Sequence, residues 1–330
     1  MSDRSILRDV AQAAGVSLRT ASRVLNDDPR VAATTRERVQ GVMKELRYTP
    51  DLMARSLRGG TDATIGLVVE SIADPFFSEL VAAVESATSE NGKSVLVAST
   101  HGDAEREGRV VTELLRRRVS GLLVVPTAGD HSWLVDATAQ LVLVDRAAQG
   151  LDADVVGIDD QRAAVDAVSH LIAHGHREIA YIGDFSQVAT SAARLAGYRQ
   201  AMAQHGLAVP ERLVHADCPT PRSASAAVTN LLTGSHQPTA LFSAATRCSL
   251  GVVPAMHEHR RTDVALVGFG DFAMADALTP AVTVVDHSGS AVGRAAVARL
   301  SRRIREPHLT AEFVRVPVAL VERGSGELRP

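Results

Sequence analysis

Near the start of the chain, two helix-forming stretches meet at Gly15-Val16-Ser17. The first, ILRDVAQAA, is short and rich in Ala and Val; the second begins at Leu18 and reads LRTASRVLN. A glycine placed just after the last periodic residue stops a helix. Two short helices around such a turn form a helix-turn-helix, whose second helix fits the major groove of DNA. Val10, Ala13, Val16, Val24 and Leu25 fall where they can close a small core between the two helices. Arg19, Thr20, Ser22 and Arg23 are left outward on the second helix, a set able to reach base edges and phosphates.

The pattern continues as a third helix. Thr34-Thr35-Arg36-Glu37 reads as a capping box, with Thr34 accepting from a helix amide and Glu37 reaching back. Val39, Met43 and Leu46 then share one helical face, and Pro50 ends the helix by constraining Thr49. Asp51 to Arg58 follows, with an acid near its start, Arg55 and Arg58 near its end and Gly59-Gly60 as a stop. Those charges suit the dipole of a helix about two turns long. A helix of that length is unstable alone in water and forms only against a partner.

Charge is divided along the chain. Residues 1–60 hold 11 Lys and Arg against 7 Asp and Glu, so the whole chain's −3 leaves −7 on the remaining 270 residues. A basic head on an acidic body concentrates attraction for phosphate at one end. From Thr64 onward, short runs of Val, Ile and Leu alternate with longer amphipathic stretches. IGLVV at 65–69, LVLVD at 141–145, IAYIG at 179–183 and VALVGF at 264–269 are examples. Continuous apolar runs of this length read as parallel strands buried on both faces, with helices as crossovers. About nine such strands exceed one small sheet, which implies two doubly wound lobes.

VAxxAGVS, SRVLN, TRERV and YTPxxxARSL, followed by DPFFSEL, RRVSGLLVVP, LIAHGHREIAYIG, PTALF and LTPAVTVV, resemble in content and order the lactose-repressor (LacI/GalR) family of bacterial transcription regulators. The resemblance implies a small all-α helix-turn-helix head plus an α/β two-lobed body with parallel sheets, similar to periplasmic sugar-binding proteins. It divides the chain into a head at 1–49, a hinge helix and linker at 50–60, and an effector-binding and dimerisation body at 61–330. On this likeness Leu18, Arg19 and Arg23 read bases, while Thr20, Ser22, Asn26 and Thr35 hold phosphates. Ala54 and Leu57 match the hinge helix, whose leucine wedges into the minor groove and kinks the duplex. Phe76, Phe77, Asp145, Thr190, Arg194, Cys218 and Asp271 match positions around the effector cleft.

The chain also departs from its family. Ala245-Thr246 stands where sugar-responsive relatives carry Asn-Asp, and Gly270-Asp271 where they carry a pair of aspartates; Val188 replaces a polar contact seen in purine-binding relatives. The second lobe's side of the cleft therefore reads as poor in hydrogen-bonding groups. An unpaired buried hydroxyl costs about 1–3 kcal/mol, so a typical monosaccharide is expected to bind poorly.

Other classes find little support. His257 and His259 are two apart rather than four, and the two cysteines, Cys218 and Cys248, make neither a disulfide framework nor a metal spacing. Gly268-x-Gly270 lacks the third glycine of a dinucleotide loop. The expectation is a cytoplasmic, homodimeric, non-enzymatic repressor without cofactor or metal. It binds a double-stranded palindromic operator and responds to a sugar-like small molecule in the cleft between lobes, with no part for a membrane. A regulator whose pocket is degenerate or takes a purine-type corepressor is the alternative, and a solute-binding protein a distant one.

Overall fold

A computed structural model describes residues 6–25, 28–46, 48 and 64–330, with only the backbone for 138 and 139. Contacts divide the chain into two compact units, Met1–Asp62 and Ala63–Pro330. The first holds α1 (Leu7–Ala13), α2 (Leu18–Leu25) and α3 (Ala33–Glu45). The Asp9 carboxylate accepts the Ile6 amide at 2.8 Å and fastens the first turn of α1. The backbone then turns at Gly15 with φ +62°, a left-handed conformation that a Cβ disfavours. The Ser17 hydroxyl caps α2 by accepting the Thr20 amide at 3.1 Å.

Val10, Ala11, Ala14, Ala21, Val24 and Val39 form the buried core of this unit, with Val16, Met43 and Leu46 packed against it. Two expectations are corrected. Ala13 is exposed, because the residue one turn beyond Val10 on the buried face is Ala14. The capping box does not form: α3 begins at Ala33 with Ala32 in the cap position and no side-chain cap. Thr34 already lies inside the first turn, past the place from which a hydroxyl can cap.

The second unit contains two six-stranded sheets. The first runs in the order β2 (Ser94–Ser99), β1 (Thr64–Val69), β3 (Gly121–Val124), β4 (Leu141–Asp145), β5 (Asp154–Gly157), β11 (Phe313–Arg315). The second runs β7 (Val214–His215), β6 (Ile179–Ile182), β8 (Ala240–Ser243), β9 (Ala265–Phe269), β10 (Thr283–Asp286), β12 (Ala319–Val321). Every pairing is parallel except β10 with β12. The chain passes between the sheets after β5, β10 and β11, so three crossings join the two lobes that the family likeness implies. β3 and β4 are buried along their whole length, as continuous apolar runs require. β7, β11 and β12 span two or three residues each, too few to leave an apolar run in the sequence.

Helices α4 (Pro75–Ser89), α5 (Ala104–Arg116) and α10 (Gly289–Arg305) cover the first sheet. Helices α6 (Asp160–Ala173), α7 (Ala189–Gln204), α8 (Pro221–Thr233) and α9 (Thr246–Glu258) belong to the second lobe. Gly197 lets α7 approach α6 closely, since a Cβ there would overlap the Gln161 carbonyl oxygen. That approach brings Arg194 beside Asp160 at the start of α6. Both sheets follow the order 2-1-3-4-5, so the carboxyl ends of their strands converge on a switch point between β1 and β3 and its equivalent between β6 and β8.

Candidate nucleic-acid interface and inter-lobe cleft

On α2, Arg19 is exposed and Leu18 is 40% exposed, an uncommon setting for a leucine. Thr20, Ser22 and, at the start of α3, Thr35 are half-buried. The Thr20 hydroxyl lies 2.9 Å from that of Ser17, within the cap. Arg23 keeps 40% of its side chain in solvent, with Nε 3.7 Å from the Asp28 carboxylate. Arg30 grips Asp28 at 2.9 and 2.8 Å, and that hydrogen-bonded pair pushes the Asp28 carboxyl well below its ordinary range. Asp28 is thus held mainly by Arg30, which leaves Arg23 only a long contact to give up. Asn26, Ala54 and Leu57 lie outside the described residues.

The cleft between the lobes is lined by residues at strand ends and first helical turns. Asp145 closes β4 with φ +71°, and Arg146 beside it places Nε 3.1 Å from the Asp145 carboxylate and Nη2 3.3 Å from Glu70. Arg194, 7% exposed, donates from Nε to Asp160 at 2.7 Å and from Nη1 to the Ala244 carbonyl at 2.9 Å. Its guanidinium also stands 3.9 Å from the centroid of the Phe269 ring. Thr190, in the first turn of α7, is 7% exposed and lines the same space. Phe76 stacks on His287 at 4.6 Å, whereas Phe77 turns into the first-lobe core. Of the aromatic pair, then, Phe77 mainly fills the core and Phe76 faces the cleft.

Cys218 and Asp271 do not line this cavity. Cys218 packs into the second-lobe core beside Cys248, whose thiol donates to its carbonyl at 3.5 Å. Asp271 is held by Arg323 at 2.8 and 2.5 Å and borders an adjoining recess of about 260 Å³ that shares Phe76, Thr246 and His287 with the cavity. The expectation of a cleft poor in hydrogen-bonding groups on the second-lobe side is corrected too. Ala245 and Thr246 are small, but the next residue, Arg247, enters the cleft and meets Asp184 at 3.2 Å, both from the second lobe. Glu70, Asp74, Asp160, Asp184, Arg247 and His287 escape a reading of the sequence alone. A signal for Glu70 and Asp184 is present in it, since each follows an apolar strand run by one or two residues.

Electrostatics in the cleft follow from burial opposed by pairing. Burial disfavours the Glu70 carboxylate, but Arg247 and Arg146 outweigh it and hold its pKa below the ordinary value. For Asp74 burial wins over Arg247, and its pKa is raised. Burial, with Arg194 nearby, pushes the His287 imidazole down to about 3, so it is neutral. The space among these charged groups is about 50 Å³, room for a few waters, and it adjoins the recess of about 260 Å³ with which it shares Phe76, Thr246 and His287. Elsewhere, His176 bonds Thr239 and the Leu328 carbonyl, and His259 bonds Thr229. Among the described residues no group of three or more His, Cys, Asp or Glu could hold a metal, and no helix is long and apolar enough to cross a membrane.

Comparison with known proteins places this geometry. The model of bacterial regulatory proteins of the lacI family matches residues 6–51, and that of a periplasmic binding protein-like domain matches residues 168–326. The ribose operon repressor of Escherichia coli K12 is 32% identical over 327 residues, covering 97% of this chain and 99% of the relative. The HTH-type transcriptional regulator GalR of the same organism is 31% identical over 286 residues, covering 84% and 83%. Among solved structures, the Lac repressor dimer bound to operator and the anti-inducer ONPF superposes with a TM-score of 0.88 at 27% identity, covering 98% of this chain and 99% of that one. With a helix-turn-helix head, two parallel-sheet lobes and near-complete coverage of a repressor at this identity, the chain belongs to the lacI family of bacterial regulatory proteins.

Proposed function

We propose that the chain is a cytoplasmic, homodimeric transcriptional repressor that reads a palindromic operator and is modulated from the inter-lobe cleft. In this reading residues 1–49 are the DNA-binding head, 50–60 the hinge and 61–330 the effector-binding and dimerisation body. Leu18, Arg19 and Arg23 read base edges; Thr20, Ser22, Asn26 and Thr35 hold phosphates; Ala54 and Leu57 enter the minor groove of the kinked operator centre. The observation that carries the proposal is the exposed arginine-bearing face of α2 in a helix-turn-helix whose turn and cap are both formed. Each arginine can pair bidentately with a guanine. Effector binding changes the relation of the lobes, and hinge helices too short to be stable alone convert that change into release or retention of DNA. Phe76, Asp145, Thr190 and Arg194 are the effector contacts on this reading; Phe77 supports Phe76, Asp271 borders the adjoining recess, and Cys218 stays in the second-lobe core. No catalytic step is assigned to the chain.

Selection of duplexes from a randomised palindrome library tests the reading. The chain enriches one palindrome, and the double variant Arg19→Ala/Arg23→Ala enriches none. Equal enrichment by both proteins, or by neither, overturns it. The cleft is tested by thermal shift against sugars, sugar phosphates, purines and organic acids, with loss of any shift in Arg194→Ala. The charged lining of the cavity favours the version of this function in which the effector is not an ordinary sugar.

A further inference from the structure

One side chain spans the cleft. Arg247 belongs to the second lobe, in the first turn of α9. Its Nη2 lies 2.7 Å from Glu70 and its Nε 3.5 Å from Asp74, both of the first lobe, while Asp184 of its own lobe lies 3.2 Å from Nε. Three carboxylates therefore surround this guanidinium. The other two arginines do not balance the excess: Arg146 is also bound by Asp145, and Arg194 is tied to Asp160. Five carboxylates face three guanidiniums in all. His287, 6% exposed and stacked on Phe76, lines the same cavity, with the Val285 carbonyl supporting its ring from the backbone.

We propose that Arg247 is a built-in occupant of the cleft, its guanidinium joining the lobes where an effector would, and that the effector able to replace it carries a guanidinium or ammonium group. The proposal rests on the reading of the cleft as the effector site. A ligand shifts the lobes only through a difference in its affinity for their two arrangements. A cation that takes over Glu70, Asp74 and Asp184 leaves the charge balance of the cleft intact when Arg247 swings out. A neutral sugar brings no charge to Glu70, Asp74 and Asp184 and leaves the arginine in place. An anion meets the excess of carboxylates.

The test is chemical rescue in the full-length chain. Arg247→Ala removes the occupant, and small-angle scattering reads the lobe arrangement through the radius of gyration. The variant is expected to expand, and methylguanidinium to return it to the dimensions of the unaltered chain. D-ribose and inorganic phosphate leave it expanded. Operator affinity is expected to shift by at least about fivefold in Arg247→Ala and to return with methylguanidinium. Glu70→Gln, which keeps the side-chain volume, is expected to expand the chain as well and guards against a folding defect in the alanine variant. Unchanged dimensions in both variants overturn the proposal, as does closure of Arg247→Ala by ribose or phosphate but not by methylguanidinium. Rescue of the dimensions with no change in operator affinity upholds the strap and overturns the reading of the cleft as a control site.

Discussion

The head and the cleft use arginine in opposite ways. On α2, Arg19 is exposed and Arg23 half-buried, and the long contact of Arg23 with Asp28 is their one ion pair among the described residues. In the cleft, Arg146 and Arg194 are 7% exposed and Arg247 has 21% of its side chain exposed, each held by one or more carboxylates. On the proposed function, the contrast follows from when the partner arrives. An arginine that reads DNA exchanges water for guanine or phosphate on binding, so it must be free beforehand. An arginine inside a lobe has no water to fall back on, and an uncompensated buried charge is strongly destabilising. Charges in the head should therefore answer to salt and to DNA. Charges in the body should answer to the loss of their partners and to protons.

The largest effect expected on this contrast is in the body. Asp160→Ala leaves the buried Arg194 guanidinium without its carboxylate and should lower stability by about 3–5 kcal/mol, read from the urea midpoint. The double variant Asp160→Ala/Arg194→Met should lose clearly less than the two single losses added together, because the orphaned charge is gone. Strict additivity would break the comparison, since it would mean that the pair is not interacting.

In the head the same kind of deletion should spare stability and fall on binding. Arg23→Ala and Arg19→Ala should each cost about 1–3 kcal/mol of discrimination at one base pair per half-site. Unfolding midpoints should stay within about 0.5 kcal/mol of the unaltered chain, as expected for exposed sites. The slope of log affinity against log salt should fall by about 0.9 for each phosphate that a variant no longer neutralises. A matching loss of stability would show that these arginines hold the head together.

How far the sequence reveals these regions depends on periodicity. The helix-turn-helix is legible because Gly15 and the apolar spacing around it are local signals, and the α/β body because buried parallel strands are continuous apolar runs. Spacing alone puts Ala13 inside, although Ala14 occupies the buried face. The capping box at Thr34 is a local pattern overridden by the actual start of α3, whose cap position is Ala32, two residues earlier. In the cleft, Asp145, Thr190 and Arg194 are found through family likeness. Arg247 is not, because its importance depends on Glu70 and Asp74, which lie 177 and 173 positions away and reach it only when the two sheets face each other. Pairing across a cleft leaves no periodic trace.

A smaller effect probes the turn of the head. A Cβ on Gly15 meets nothing within 4 Å, so Gly15→Ala carries only the backbone cost of φ +62°, about 1–2 kcal/mol. Calorimetry should show the head's transition shifted down and the body's unchanged. A loss well above that range would mean that the turn holds packing contacts as well as backbone shape.

The smallest effect separates the regions by proton rather than by salt. In the body, His131 is 2% exposed and Glu107 is fully buried. The imidazole Nε2 lies 2.7 Å from the Glu107 carboxylate and Nδ1 lies 3.0 Å from the Gly129 carbonyl. Both ring nitrogens thus face acceptors, which is satisfied when both carry a proton. The hydrogen bond to Glu107 is the largest influence on the His131 pKa and raises it above the ordinary 6.5, with burial opposing. The folded state therefore holds this proton more tightly than the unfolded state does. Below about pH 6.5 the stabilisation is fully present, and as pH rises from there through the raised native value it is lost, with a slope of at most about 1.4 kcal/mol per pH unit. Residues 1–62 contain no histidine, so the head should show no such slope over the same range. Trp133, the chain's one tryptophan, has its ring centroid 6.2 Å from that of His131, and its fluorescence should follow the titration directly. In His131→Gln the body's midpoint should flatten over the window in which the unaltered chain declines. A decline of equal slope in that variant would assign the proton to another histidine, and a matching slope in the head would remove the distinction between the two regions.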